Sequence, residues 1–380
     1  MANANLAKAK NAKNDEFYTQ YQDIEKEINA YIEYNPNVFQ GKTILCPCDD
    51  PEWSNFTKYF AQNFEKFKLK KLISTSYAFA SKGINGKYKV TIFERKNSKF
   101  DKDKVEIKGK NFTLAKDITG DNRIDINDLD YKYLEGDGDF RSDEVTKLRD
   151  EADIIITNPP FSLFKEFLSW IMGANKKFVI IGNINAITYK EIFSFIKENK
   201  VWMGNGFHAG NAYFSTPVGR EYASGVYDEK TGLVKFRNVC WFTNLDHGRR
   251  HQKLPLMTTK DNLKYNNKMR GKKSYDNYDN YNAIEVSFTN AIPSDHKGIM
   301  GVPVSFLSKY NPDQFEIIGS DSNIKEGLFP ELINLKWDGK IDRGYIDNKR
   351  YYARIFIKHK DRRYGNSNNY IRPLKMSIMG

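Results

Sequence analysis

Two consecutive prolines constrain this chain more than any other residues. Pro159 and Pro160 follow Asn158 and the aliphatic run at 153–157, and they precede an amphipathic segment at 162–172. Proline fixes φ and lacks an N–H, so a strand through 153–157 must stop there. The turn that replaces it is stiff and presents acceptors rather than donors. A planar amino group can give one hydrogen to the Asn158 side-chain oxygen and the other to the Pro159 carbonyl, while Phe161 covers the ring that bears the amine. The order strand, stiff turn, helix puts this device at the carboxyl end of a sheet, where α/β ligand sites lie. A plain proline turn is the alternative. The aliphatic strand on one side and the amphipathic helix on the other argue against it.

The residues around this turn alternate between two periods. Ile24, Ile28, Tyr31 and Ile32 recur at helical spacing after Asp23, and Phe56, Tyr59, Phe60 and Phe64 share one face of a helix expected over 55–67. Short apolar runs at 43–46, 71–76, 153–157 and 177–182 read as buried strands, and a helix is expected over 190–200. Strands alternating with helices predict a mostly parallel, doubly wound α/β sheet. Residues 80–130 are polar and irregular, with a hairpin expected around 88–95. After Trp202 the pattern becomes mixed. It contains a β-like run at 236–243, a low-complexity tyrosine tract at 274–281 that reads as a loop, and a basic alternating strand at 351–358 followed by Lys360-Asp361-Arg362-Arg363. The chain therefore divides into a catalytic α/β domain, residues 1–245, and a basic mixed α+β region, residues 246–380.

Composition narrows the partners. Across 380 residues the net charge is +12, with 23 Tyr and 26 Phe among the charges, which suits a polyanion with stackable bases. Mean hydropathy is −0.67, and no apolar run approaches spanning length, so no membrane partner is expected. Residues 1–14 lack the apolar stretch of a secretory signal. Cys46 and Cys48 are separated by one residue, and with Cys240 they make no disulfide framework. A reduced, cytoplasmic protein is expected.

Other motifs carry two readings each. Cys46-Pro47-Cys48-Asp49-Asp50-Pro51 closes the first core strand without the glycines of a dinucleotide site. Its acidic pair can bond an ammonium or ribose hydroxyls, or cap the next helix. In Gly136-Asp137-Gly138-Asp139-Phe140, Asp139 can accept from an adenine amino group with Phe140 against the ring; an acidic glycine turn is the alternative. Asp15-Glu16-Phe17-Tyr18-Thr19 is a lid over the methionine end of a cofactor or a hydrophobic staple, and taken alone the staple is favoured. Arg249, Arg250 and Lys253 lie in a basic loop suited to phosphates. No metal is expected. Asp117, Thr119, Asp121, Asp125 and Asp128 have calcium-loop spacing, but Asn122 stands where glycine is usual and Asp128 where glutamate is. Cys240, His247 and His251 lack a fourth zinc ligand. Pro47-Cys48 is similar to the nucleophile of cytosine-C5 methyltransferases, but it sits on the first strand and nothing else of that signature follows.

Taken together, these segments resemble the EcoRI-type family of adenine-N6 DNA methyltransferases. The resemblance spans nearly the whole chain. It includes Lys13-Asn14-Asp15-Glu16-Phe17-Tyr18-Thr19-Gln20, Cys48-Asp49-Asp50-Pro51, Gly136-Asp137-Gly138-Asp139-Phe140-Arg141-Ser142 and Asn158-Pro159-Pro160-Phe161-Ser162-Leu163-Phe164. Ile181-Gly182-Asn183, Trp241-Phe242-Thr243-Asn244-Leu245 and Gly301-Val302-Pro303 extend it. It implies a Rossmann-like sheet that uses S-adenosyl-L-methionine, with a C-terminal target-recognition region. Phe17, Tyr18 and Thr19 would then correspond to the methionine-binding motif, and Cys48, Asp49 and Asp50 to the loop that replaces a glycine-rich turn. Asp139 and Phe140 would face the cofactor adenine, and Asn158, Pro159, Pro160 and Phe161 would be catalytic. One departure stands out. The strand at 71–76 ends Ser74-Thr75-Ser76-Tyr77, where many methyltransferases carry a ribose-binding acid, so the ribose ligand is unassigned.

The resemblance further implies double-stranded DNA as partner, and an adenine flipped out at a cost of roughly a few kcal/mol. It implies a monomer, with a cognate restriction endonuclease as a genetic rather than physical partner, or a phage or host protection role. RNA adenine-N6 and DNA cytosine-N4 methylation are the nearest alternatives, since each presents an aromatic amine. A protein-glutamine methyltransferase is disfavoured by the basic C-terminal region, and a silent DNA-binding module by the intact turn at 158–161.

Overall fold

The structure is a computed structural model that describes residues 17–78, 99–207, 211–215 and 226–360. Strand β1 (Tyr18–Thr19) leads into helix α1 (Tyr21–Tyr34), whose Ile24, Ile28 and Tyr31 form one buried stripe. Then come β2 (Thr43–Cys46), α2 (Asn55–Gln62), β3 (Lys71–Ser76), β4 (Lys110–Leu114), β5 (Asp130–Tyr133) and α3 (Asp143–Glu151). They are followed by β6 (Ile154–Thr157), α4 (Phe164–Gly173), β7 (Lys177–Asn183), α5 (Lys190–Lys197) and β8 (Trp202–Met203). β9 (Ala212–Ser215), β10 (Tyr227–Asp228), β11 (Leu233–Phe236) and β12 (Val239–Thr243) complete this half. β13 (Ala283–Glu285), β14 (Ile299–Pro303), β15 (Phe315–Ser320) and β16 (Arg354–His359) build a separate four-stranded sheet in the order β13-β14-β16-β15.

The main sheet has eight strands, ordered β5-β4-β3-β2-β6-β7-β12-β8. Its centre, β3-β2-β6-β7, is parallel, with Leu45 of β2 level with Ile73 of β3 and Ile155 of β6. The fold is thus mixed α/β. Both wings are antiparallel, β4 and β5 on one edge and β12 and β8 on the other. A parallel return needs a crossover of a dozen residues or more, usually a helix. Residues 115–129, between β4 and β5, hold a short 3-10 turn, Ile126–Asp128, but no crossover helix, and the chain doubles back.

The central strands are buried on both faces, as parallel strands must be. Leu45, Ile73, Ile155 and Ile180 enter one apolar cluster, while Ile44, Leu72, Ile156 and Val179 enter the other. The first cluster continues into Met300 and Phe315 of the C-terminal sheet and Val286 just after β13, so the two halves of the chain share an interior. A second small sheet, β1-β9-β11-β10, is antiparallel throughout.

Two elements differ from expectation. The helix at 55–67 stops at Gln62, because the Asn63 side-chain amide donates to the Tyr59 carbonyl (2.9 Å) and competes with the next helical turn. The run at 236–243 breaks at 237–238 into β11 and β12, which belong to different sheets. The tract at 274–281 is irregular, as a loop is, and it buries the rings of Tyr275, Tyr278 and Tyr281. The hairpin expected at 88–95, Asp15, Glu16 and residues 361–363 lie outside the described residues. Among the described residues, no helix is long and apolar enough to cross a membrane.

Candidate active site

From β2 the chain winds to β3 on one side and then crosses to β6 on the other. The reversal leaves a crevice at the carboxyl ends of the strands, the usual ligand position in an open α/β sheet. The residues that follow these strands meet there around a pocket of about 500 Å³, including space open to solvent. Cys48, Asp49 and Asp50 line it from the β2 loop, Ser76 and Tyr77 from the end of β3, and Asn158 and Pro160 from the end of β6. Phe17 and Tyr18 close it from the β1 side. The structure therefore brings three of the sequence segments together.

Asn158 is held by one end only. Its Nδ2 donates to the Phe17 carbonyl (2.6 Å), while its Oδ1 is buried with no hydrogen-bond partner among the described residues. Thr157 Oγ1 donates to the Pro47 carbonyl (2.6 Å), which locks the end of β6 to the β2 loop. Phe161 opens a 3-10 turn before α4, half-buried in a group of aromatic rings. Its ring stacks on Phe17 at 5.9 Å and 20°, with Phe214 and Phe236 edge-on. Gly182 on β7 allows α4 to sit close, since a Cβ there would strike the Phe164 ring.

The acidic pair divides its work. Asp49, 2% exposed, accepts from Ser54 Oγ, Thr57 Oγ1 and Thr57 N–H, and so caps α2 from the preceding loop. Burial pushes its carboxyl up to about 6 in spite of these donors, with Asp50 adding in the same direction. Asp50 accepts from the Glu52 amide (3.1 Å) while bordering the pocket. Cys48 sits in the left-handed region at φ 59°.

Asp139 and Phe140 do not line the pocket. The Phe140 ring has no exposed surface and packs edge-on against Phe167 (5.0 Å) and Trp170 (5.6 Å). Asp139 forms a two-pronged pair with Arg141, which also reaches Glu166. Asp139 still acts at the pocket edge. Burial, then Cys48 and Asp139, push the Tyr77 hydroxyl far above its ordinary range. Gly138, at φ 87°, lets this loop lie directly on the Ser76 carbonyl. Thr19 is buried behind Phe17 and Tyr18, and its carbonyl accepts from Asn55 Nδ2 (2.8 Å).

Sequence reasoning assigned no role to Ser54, Ser76 or Tyr77. Ser76 is 1% exposed, and its Oγ has no partner among the described residues. The only signal was position, a hydroxyl residue closing the strand beside β2.

The basic loop lies elsewhere in the chain's packing. Arg250 is 8% exposed; its guanidinium stacks 3.7 Å over Trp202 and bonds Asn199, with Asp246 at 3.5 Å. Arg249 donates to the Asn205 carbonyl, and Lys253 is exposed. His247 Nε2 lies 3.0 Å from the Met203 carbonyl, and His251 pairs with Asp246. Asp117 and Asp128 accept backbone amides of their own loop. Among the described residues, no three metal-binding side chains converge.

This geometry coincides with a clear kinship. The chain is 40% identical to the type II methyltransferase M.EcoRI of Escherichia coli, over 93% of its own length and 96% of that protein's. It is 34% identical to the type II methyltransferase M.MgeORF184P of Mycoplasma genitalium, over 92% and 97% of the two chains. It is 32% identical to the type II methyltransferase M.MpnI of Mycoplasma pneumoniae, over 93% and 97%. No solved structure matches it. The family described as adenine-specific methyltransferase EcoRI matches residues 5–360. With the family match spanning the main sheet, the smaller sheets and the pocket between β3, β2 and β6, the chain belongs to the EcoRI family of adenine-specific methyltransferases.

Proposed function

We propose that the chain transfers a methyl group from S-adenosyl-L-methionine to the N6 amine of an adenine in double-stranded DNA, at the pocket between β3, β2 and β6. The observation that carries this reading is the Asn158 side chain, whose nitrogen is committed to Phe17 while its buried oxygen has no donor among the described residues. A buried acceptor left without a hydrogen costs roughly 1–3 kcal/mol. An exocyclic amine supplies that hydrogen. The names of the three relatives support DNA over RNA, and a place in a restriction-modification system. The winding reversal at β2 supports a Rossmann-like reading of the sheet. On this reading residues 1–245 hold the donor and residues 246–380 grip the target.

The pocket fits the methyl donor. Ser76 Oγ is a second buried polar atom with no partner among the described residues, suited to a ligand hydroxyl. Phe17 and Tyr18 offer aromatic surface, and the β2 loop offers Cys48 and Asp50. When bound, S-adenosyl-L-methionine supplies an electrophilic methyl group. The adenine must leave the duplex to reach the crevice, at a cost of roughly a few kcal/mol. Phe161 stacks on it, a contribution of about 1–3 kcal/mol per base. Asn158 Oδ1 and the Pro159 carbonyl accept the two amine hydrogens. This favours a pyramidal nitrogen whose lone pair is withdrawn from the ring. The proton leaves after the nitrogen has become cationic, so no basic side chain is required at attack. Alignment supplies much of the rate.

The test uses labelled methyl donor with duplex DNA or RNA, followed by digestion and identification of the modified nucleoside. N6-methyladenine from DNA is expected. N4-methylcytosine, or product from RNA alone, would replace the reading. Asn158→Ala is expected to keep donor and DNA binding while losing about two to three orders of magnitude in transfer rate. An unchanged rate would remove Asn158 from the chemistry.

A further inference from the structure

We infer that β1, together with Phe17 just before it, is a positioning strap that sets the Asn158 amide through the Phe17 carbonyl, with Asn55 holding the strap in place. The inference rests on Asn158 being the group that receives the amine. Three consecutive carbonyls, those of Phe17, Tyr18 and Thr19, each accept from a side chain on a different element. The donors are Asn158 Nδ2 (2.6 Å), Ser215 Oγ (3.4 Å) and Asn55 Nδ2 (2.8 Å). A two-residue strand has little hold of its own, and among the described residues β1 pairs with β9 at two positions, Tyr18 with Ser215 and Thr19 with Phe214.

The chemistry of the Phe17 contact fixes a direction. A carbonyl can only accept, so the amide must turn its nitrogen toward it, and its oxygen is left for the incoming amine. An amide turned the other way would present N–H to N–H and repel the substrate. Phe17 also lines the donor pocket and stacks on Phe161. One short segment therefore touches the donor pocket, the aromatic wall and the acceptor group. Asn55 opens α2, immediately after Ser54, which bonds Asp49 of the donor loop. The start of α2 thus ties β1 and the β2 loop to one another.

The test is Asn55→Ala, made in the parent chain and in Asn158→Ala, with transfer followed in single-turnover reactions. In the parent background a loss of roughly five- to tenfold in rate is expected, the equivalent of one hydrogen bond. A higher KM for the donor and unchanged DNA affinity are expected with it. In the Asn158→Ala background the same change is expected to lower the rate by less than about twofold, because the group it positions is gone. Equal factors in both backgrounds would overturn the inference while leaving Asn158 catalytic. A parent-like rate for Asn158→Ala would instead defeat the reading of the site itself. Should that variant be too slow to follow, Asn158→Asp decides. Its carboxylate accepts from the amine but cannot donate to Phe17, so at least about a tenfold loss is expected with donor and DNA still bound. A parent-like rate with Asp would overturn the strap.

Discussion

The carboxylate of Asp49 serves the helix it caps more than the pocket it borders. Three donors from Ser54 and Thr57 converge on it, and burial holds its pKa at about 6 against an ordinary 3.8. A carboxyl whose pKa is raised on folding holds its proton better in the native state. Its contribution to stability is full below its unfolded value and lost as pH rises through its folded one. Asp49→Asn keeps an acceptor for the Thr57 amide and removes this titration. The melting temperature of the Asn variant, relative to the parent, is therefore expected to rise between about pH 4 and pH 7. A difference independent of pH would mean that Asp49 does not titrate there. Ser76 makes the opposite case, a buried hydroxyl with no partner among the described residues. Ser76→Ala is expected to raise the donor KM by roughly three- to tenfold and leave kcat at saturating donor unchanged. An unaltered KM would take Ser76 out of the donor site. The position of Asn158 at the crevice was legible in the sequence, because two prolines must end the strand there. Asp49 was legible only as a choice, since a cap and a ligand call for the same carboxylate. Ser76 was not, because a serine at a strand end carries no spacing signal; only the missing partner marks it. Nor could the sequence foresee that the Phe140 ring would be fully buried against Phe167 and Trp170.

At the scale of elements, the parallel centre of the sheet was readable because each strand is a short aliphatic run bounded by polar turns. The antiparallel wings were not, since strand direction depends on what joins two runs rather than on the runs themselves. The tract holding Tyr275, Tyr278 and Tyr281 was legible as a loop, but not that its three rings would turn inward, since their neighbours Asp276, Asn277 and Asp279 are polar. That interior contains a buried ion pair. Arg354 at the head of β16 grips Glu285 at the end of β13 through Nε and Nη2, and Tyr278 also donates to Glu285. Both charges are nearly fully buried. Removing one partner strands the other, which typically costs about 3–5 kcal/mol, whereas replacing both with apolar groups is often neutral. Arg354→Ala is expected to lower unfolding free energy by that amount in a denaturant titration. The double variant Arg354→Met with Glu285→Leu is expected to recover most of it. A loss below about 1 kcal/mol for the single change would mean that water reaches the pair.

For the whole molecule, a net charge of +12 favours a polyanion without naming the cations that touch it. The basic loop after β12 illustrates the gap between charge and contact. Arg250 lies on Trp202 and is bonded to Asn199, so its charge is built into the fold, whereas Lys253 stands in solvent a few residues on. Sequence treats the two alike; the partners that separate them come from β8 and the turn before it, distant along the chain. The two residues should therefore fail in different ways. Arg250→Ala is expected to lower the melting temperature, because it removes packing on Trp202 as well as a charge. Lys253→Ala is expected to leave stability within about 0.5 kcal/mol, as exposed substitutions do. If Lys253 neutralises a phosphate, its removal should also reduce the slope of log affinity against log salt by about 0.9 for duplex DNA. The measurement is DNA affinity across a salt series for the parent and both variants, beside their melting curves. A salt slope unchanged in Lys253→Ala would assign the phosphate contacts to other cations. An unchanged melting temperature in Arg250→Ala would mean that its stack on Trp202 adds nothing to the fold.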